Sequence, residues 1–460
     1  MDALVSKRFA RFASESDRST FPPLARRRAV DAVTDCVGCI LAGTAEASAR
    51  AVAATLRFSR EPSPLAESYV VGQGYASPMD AALYHGTAAH ALDYDDTNHP
   101  GYAHPSASIV PALIAVAPLA ACTGEDAVTA YVVGFEAIGK LGRALNTSHY
   151  ARGWHPTGTF GAIGATLAAC HLLKLPEPRI EVALAIAASQ AGGLRANFGT
   201  MIKPLHAGLA ARAGVTAALL AANGFDGAPD VFENRFGYLA SFRGETAPVT
   251  EAITPGTPLE ILTEFGLALK PYPSCGATHP GIEACCELHG WLDGRDIASV
   301  RVGYSEMARN PLMFPAPATP LQAKFSMEYC ASAALLDGQI GLGSFTQEKV
   351  DRSEVSRLIR GMTVDVDGRV RDSLEFATVV GVTATDGARR EVLVELAKGK
   401  PARWMAEADI RAKFFDCARH GGVAVAAGRI LDLLRGLDRE GDPDIARALM
   451  SLAMPHDMRA

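Results

Sequence analysis

The densest chemistry in the chain is the segment HALDYDDTNHPGYAHPS, residues 90–106, which crowds histidines and aspartates into a short stretch. His90, Asp93 and Thr97 stand at i, i+3 and i+7, the spacing of one helix face, and Asp95, Asp96, His99 and His104 follow. Imidazoles beside carboxylates suit either proton transfer or metal binding. The spacing matches no firm metal motif such as HExxH, so helix capping combined with acid/base duty is the preferred reading and no metal is expected.

A second pattern recurs at His104-Pro105, His155-Pro156, Lys203-Pro204 and His279-Pro280, each followed by a helical run. Proline favours the first helical position and holds the residue before it extended. Each basic side chain is therefore expected at a helix N-terminus, where backbone N–H groups and the helix dipole attract an anion. If the four converge, they form a pocket for carboxylates. Lys203 lies between an apolar stretch and a small-residue helix (NFGTMIKPLHAGLAAR, residues 197–212). Desolvation there would lower its pKa toward base strength. Tyr150, in SHYARGWHPTGT, adds a possible general acid or base.

Other chemistries find no footing. No Walker or GxSxG motif is present, and the glycines from Gly158 to Gly164 open a helix with no strand before it, so no nucleotide cofactor is expected. A net charge of −6 and the lack of a basic stripe argue against nucleic acid. The apolar run Ile109–Cys122 is too short for a membrane span, and the N-terminus lacks a secretory core. Nine scattered cysteines fit free thiols in a reducing cytoplasm.

The elements that must position these residues divide in two. With 460 residues and 48% hydrophobic content, two domains are expected. Residues 1–268 read as helix after helix; segments 104–121, 125–145, 159–173, 178–192 and 207–223 are apolar nearly all round. Alternation then marks strands at 300–304 and 362–366, with a hairpin over 376–396 turning at Asp386-Gly387. A helix spans roughly 322–337, and helices return over 406–419 and 423–437. The expected fold is mainly α: a discontinuous helical domain (1–268 and 405–460) with an inserted, smaller α+β lid domain (269–404).

The strings HALDYDDTNHPGYAHPS, GWHPTGTFGAIGAT, KPLHAGLAARAG, YPSCGATH and AKFSMEY, in that order, resemble the MmgE/PrpD family. That family includes 2-methylcitrate dehydratase, cis-aconitate decarboxylase and iminodisuccinate epimerase. The resemblance implies a helical domain with a lid, a homodimer, and no metal or organic cofactor. It carries catalytic or substrate-binding roles to Asp93, Thr97, His104, His155 and Lys203. The decarboxylase's lid histidine falls on Cys275, a departure that argues against cis-aconitate decarboxylation. SHYARGWHPT, NFGTMIKP and YPSC look more like the epimerase branch, in which a tyrosine and a lysine act as opposed bases, here Tyr150 and Lys203.

The resulting expectation is a cytoplasmic isomerase or lyase that abstracts a proton next to a carboxylate of a small di- or tricarboxylate, epimerase-like. Lys203, Tyr150, His104 and Asp93 are the expected catalytic residues; Thr97, His155, Cys275 and His279 are expected to bind substrate. The alternatives are a dehydratase- or decarboxylase-like lyase and, in another class, a non-catalytic carboxylate-binding protein.

Overall fold

The computed structural model describes residues 4–243 and 250–439. Residues 440–460, assigned to the helical domain from the sequence, lie outside the described residues. The chain splits into two compact units, Met1–Leu269 with Ala406–Ala460, and Lys270–Met405.

The first unit is helical. Its main elements are α1 (Val5–Glu15), α2 (Pro23–Gly43), α3 (Ala47–Ala53), α4 (Pro78–His90), α5 (Ser106–Val116), α6 (Gly124–Leu145), α7 (Ser148–Ala151), α8 (Pro156–Leu172), α9 (Glu177–Gln190) and α10 (Ile202–Ala222). Helices Glu407–His420 and Ala427–Arg435 follow the return of the chain. Local chemistry sets the starts. Ser77 caps α4, with Pro78 at its first position, and Thr123 and Asp126 form a capping box on α6. Two short strand pairs complete the unit: β1 (Ser68–Val70) with β2 (Gly74–Ala76), and β3 (Thr97–Asn98) with β4 (Leu267–Ala268), both antiparallel.

α10 is the central helix and packs against α4, α5, α8 and α9. It crosses α4 where two glycines meet: a Cβ on Gly86 would come within 2.7 Å of the Gly208 Cα. This close approach is what brings the C-terminus of α4 to the N-terminus of α10. The helix is also the one single helix among the described residues long and apolar enough to cross a membrane, and 61% of that window is buried in the unit. The rest forms an outward stripe: Ile202 and Leu209 are 42% and 46% exposed, and Leu205, Leu219 and Leu220 are half-buried.

The second unit holds a four-stranded sheet in the order β6-β5-β7-β8, formed by β5 (Ile297–Tyr304), β6 (Met362–Val366), β7 (Thr378–Ala384) and β8 (Arg389–Val394). β5 runs parallel to β6 and antiparallel to β7, with Val302 opposite both Val364 and Val380. Helix His279–Leu292 packs on β7, β8 and helix Met327–Asp337 around a core that includes Ile282, Leu288, Val302, Tyr329 and Val380. The hairpin turn is one residue longer than Asp-Gly alone: the Ala384 N–H donates to the Ala388 carbonyl across Thr385–Gly387, with Gly387 at φ 88°. The expected 322–337 helix is broken. A single turn, Pro320–Ala323, precedes Met327–Asp337, because the Ser326 side chain caps the second piece at the Tyr329 N–H. It ends at Gly338 in the left-handed region, φ 69°.

Candidate active site

The site grows from the end of α4. His90 closes the helix, and the next residues are drawn away by their own side chains. Asp93 takes a left-handed conformation, φ 53°, and Thr97 lies in β3. The expected single helix face for His90, Asp93 and Thr97 is therefore wrong. Aspartate tolerates the left-handed region, and buried carboxylates in this run find better partners than a continued helix offers. Three anchors fix the loop. The Tyr94 carbonyl accepts from Lys413 Nζ at 2.7 Å, and that ammonium also meets Asp35 at 2.7 Å. Asp95 accepts from His90 Nδ1, with both oxygens at 2.9 Å. Asp96 caps α5 by accepting from the Ser106 N–H at 3.0 Å and its hydroxyl at 2.9 Å. Burial, with Asp95 beside it, pushes the Asp96 carboxyl up to about 8.

α10 supplies the central cation. Lys203 is 4% exposed and pairs with Asp93, while its Nζ lies 2.8 Å from His90 Nε2. Asp95, His90, Lys203 and Asp93 thus form one buried, side-chain-to-side-chain chain. Burial holds the His90 imidazole below its ordinary value against the opposing pull of Asp95. A neutral His90 donates from Nδ1 to Asp95 and accepts at Nε2.

Further imidazoles complete the wall. The His104 ring lies 4.3 Å from that of His90, with Nδ1 2.9 Å from the Asp96 carbonyl and Nε2 4.0 Å from Asp93. His155 stands at the N-cap position of α8, and its Nδ1 is 3.0 Å from Nδ1 of His206, on α10. Its Nε2 is buried and has no hydrogen-bond partner. Burial first, then the Lys203 charge, keeps the His155 imidazole well below its usual range; burial takes His206 down to about 4. An orphaned buried nitrogen beside a cation and a second imidazole suits an incoming anionic, hydrogen-bonding ligand.

Residues 7–250 match the model of the MmgE/PrpD N-terminal domain, and residues 272–439 match that of the MmgE/PrpD C-terminal domain. The chain belongs to the MmgE/PrpD family. Among its relatives are cis-aconitate decarboxylases. That of Homo sapiens is 30% identical over 349 residues, 73% of this chain and 72% of the relative. That of Aspergillus terreus is 28% identical over 384 residues, 78% of each.

In this MmgE/PrpD chain the structure gathers Asp93, His104, His155 and Lys203 into one cluster. Thr97 lies on β3, its backbone paired with Ala268. Tyr150, on α7, lies with its ring 3.5 Å below the Arg195 guanidinium and edge-on to Tyr102. Cys275 and His279 belong to the second unit. There the Cys275 N–H donates to the Lys324 carbonyl, and the His279 Nε2 bonds the Ser274 carbonyl at 3.1 Å. The expectation that each basic residue stands extended before its proline holds for His155, at φ −95° and ψ 104°. It fails for Lys203 and His279, which lie inside the first turns of their helices; His279 is helical at φ −61° and ψ −46°.

His90, Asp95 and His206 are site residues that the sequence reading did not assign a role. His206 could have been found from its place three residues after Lys203 on the same helix. His90, Asp95 and His104 each offer a ligand atom within 4.8 Å of one another, close enough to share a divalent ion. Two of the nitrogens are already engaged, His90 Nδ1 by Asp95 and His104 Nδ1 by the Asp96 carbonyl, so a metal would have to displace those bonds or use His104 Nε2.

Proposed function

We propose that this chain is a cofactor-independent lyase that moves a proton at the carbon next to a carboxylate of a small di- or tricarboxylic acid. The observation that carries the reading is Lys203, buried and bonded to both an imidazole and a carboxylate, beside the unpartnered Nε2 of His155. Lys203 handles the proton, Asp93 holds it in place, and His104 and His155 bind or protonate oxygens of the substrate. In a decarboxylation the C–C bond breaks to release carbon dioxide. The electron pair left on the carbon skeleton then takes a proton from Lys203. In a dehydration Lys203 removes the proton and His104 gives one to the departing hydroxyl. Both create enolate-like charge that the surrounding N–H donors stabilise.

The cis-aconitate decarboxylase relatives support the lyase over an epimerase. An epimerase needs a second base on the opposite face, for which Tyr150 is the proposed residue, resting on likeness of motif. Cys275, where the decarboxylase motif has histidine, favours a substrate other than cis-aconitate. The test is incubation with cis-aconitate and with hydroxytricarboxylates in heavy water, followed by NMR. A decarboxylated product with deuterium next to a carboxylate, or an alkene formed by loss of water, supports the reading. Substrate inverted at one carbon with no bond cleavage points to the epimerase. Binding with neither exchange nor turnover leaves a carboxylate-binding protein. Activity should survive chelation; loss with EDTA that a divalent ion restores rules out cofactor independence.

We also propose that the chain works as a homodimer, because the stripe Ile202, Leu205 and Leu209 leaves apolar area on the helix that carries Lys203. Light scattering that reports a monomer at micromolar concentration would count against this.

A further inference from the structure

Two contacts behind Lys203 have the form of a relay. The Asp95 carboxylate faces His90 Nδ1, and His90 Nε2 faces Lys203 Nζ at 2.8 Å, with the side chains of His90 and Asp95 both fully buried. An ionised carboxylate only accepts hydrogen bonds, so Nδ1 must carry its hydrogen. Nε2 is then left to share one proton with Nζ. That proton has two positions, ammonium facing imidazole or amine facing imidazolium, and the Asp95 contact fits both.

We propose that Asp95 and His90 are positioning residues that form a proton relay behind Lys203; this rests on the dehydration form of the lyase reading above, in which Lys203 removes the proton. In the forward step the Nζ–H bond breaks and an Nε2–H bond forms. The positive charge moves from the lysine to the imidazole beside Asp95, and the lysine becomes the free amine that abstracts the substrate proton. When Lys203 has acquired that proton, the reverse step is blocked until the ammonium releases it, through solvent, to replace the proton that His104 gave to the departing hydroxyl. His90 then returns its own proton to Nζ. No atom is gained or lost, and no co-reactant is needed. The relay explains how a lysine held against the Asp93 carboxylate serves as a base: the proton moves to the other neighbour, inside the protein.

Asp95 has a second task, which is to select the tautomer. An amide in its place can turn its NH2 toward Nδ1. The imidazole would then carry its hydrogen on Nε2 and present it to the Lys203 ammonium, donor against donor. Comparable loss of the orienting carboxylate in the serine-protease triad lowers turnover about 10⁴-fold by the same tautomer reversal.

The test uses the full chain with ¹⁵N-labelled histidine. The His90 signals are identified by their loss in His90→Gln. In the unliganded protein they should report a neutral imidazole with hydrogen on Nδ1, and Asp95→Asn should interchange the two nitrogens. In turnover, Asp95→Asn should lower kcat on the order of 10²–10⁴-fold with KM nearly unchanged, and Asp95→Glu should recover part of it. A wild-type His90 carrying its hydrogen on Nε2 overturns the relay, even if Asp95→Asn fails to fold. So does an Asp95→Asn enzyme whose kcat stays within about threefold of wild type. If the wild type turns over no carboxylate, the lyase reading fails, while the wild-type spectrum still judges the Asp95–His90 arrangement.

Discussion

Two of the ionic clusters buried in the first unit are tied down in different ways. In one, α6 presents Glu136, Lys140 and Arg143 to a loop that carries Glu260. Glu136 accepts from the backbone N–H groups of Gly256 and Glu260, each at 2.7 Å, and Lys140 donates to the carbonyls of Thr257 and Pro258. These charges stitch a loop to a helix, and neither Glu136 nor Lys140 can change partner without releasing backbone. In the other, Asp95, His90, Lys203 and Asp93 bond to one another. A proton can move along that chain while the backbone stays still. Burial and charge are common to both; the identity of the partner separates a structural cluster from a chemical one.

The largest effects should come from removing the lysine of each. Lys203→Ala should cost about 10²–10⁴-fold in turnover per folded molecule, the usual effect of a lost general acid or base, beyond the stability lost by leaving the buried Asp93 without its cation. Lys140→Ala should cost stability alone. It strands Glu136 without its cation and leaves Glu260 with Arg143 only, and breaking a buried pair typically costs about 3–5 kcal/mol, while the chemistry of any folded enzyme stays near normal. Thermal unfolding and steady-state rates on the two variants decide the matter. Equal losses of stability and activity in both would erase the distinction.

A smaller effect is expected at His155. His155→Asn should weaken binding of the substrate carboxylate by about 1–3 kcal/mol, read as a raised KM or a weaker inhibitor Kd, since it deletes the unpartnered Nε2. An unchanged KM would mean that this nitrogen does not meet the ligand. Gly86→Ala should act at a distance. Its Cβ would press on Gly208 and push α4 from α10, costing about 1–3 kcal/mol and loosening the His90–Lys203 contact. Full stability with full activity would show that the crossing is not what sets that contact.

Much of the scaffold was legible in the sequence because its signals are local. The apolar segments 125–145 and 159–173 correspond to α6 and α8, and the alternation at 300–304 and 362–366 to β5 and β6. Lys203, Asp93, His104 and His155 could be singled out from residue type, proline spacing and likeness to the family. The end of α4 could not, because one of the anchors that draws the following loop aside is Lys413, 319 positions from Tyr94. The His155–His206 pair spans 51 positions and joins two helices whose sequences carry no mark of the meeting. The difference between the two ionic clusters was equally hidden, since it lies in partners and not in residue types.

The least dramatic prediction is the pH dependence of stability, and it separates the clusters once more. Burial takes the imidazoles of His206 and His149 down to about 4 and that of His85 to about 3. In the unfolded chain these groups return to about 6.5 and bind protons that the native state refuses. Their contribution is therefore complete above pH 6.5 and is lost as the pH falls toward 4. Glu136 and Asp96 run the other way: burial raises them to about 7 and about 8. The native state keeps their protons while the unfolded chain gives them up near pH 4, so this contribution fades from pH 4 upward and is gone once the pH has passed 7 and 8. Each group weighs up to about 1.4 kcal/mol per pH unit inside its own window. The histidines outnumber the acids below 6.5 and fall silent above it, so the melting temperature should peak near pH 6.5. His206→Asn should flatten the acid limb, and Glu136→Gln, which fixes the uncharged form, should flatten the alkaline limb. A melting temperature that climbs steadily from pH 6.5 to 8 would show that Glu136 and Asp96 are ionised in the native protein. The backbone-tied cluster would then be a standing network of charge, and its contrast with the chain around Lys203 would rest on partner identity alone.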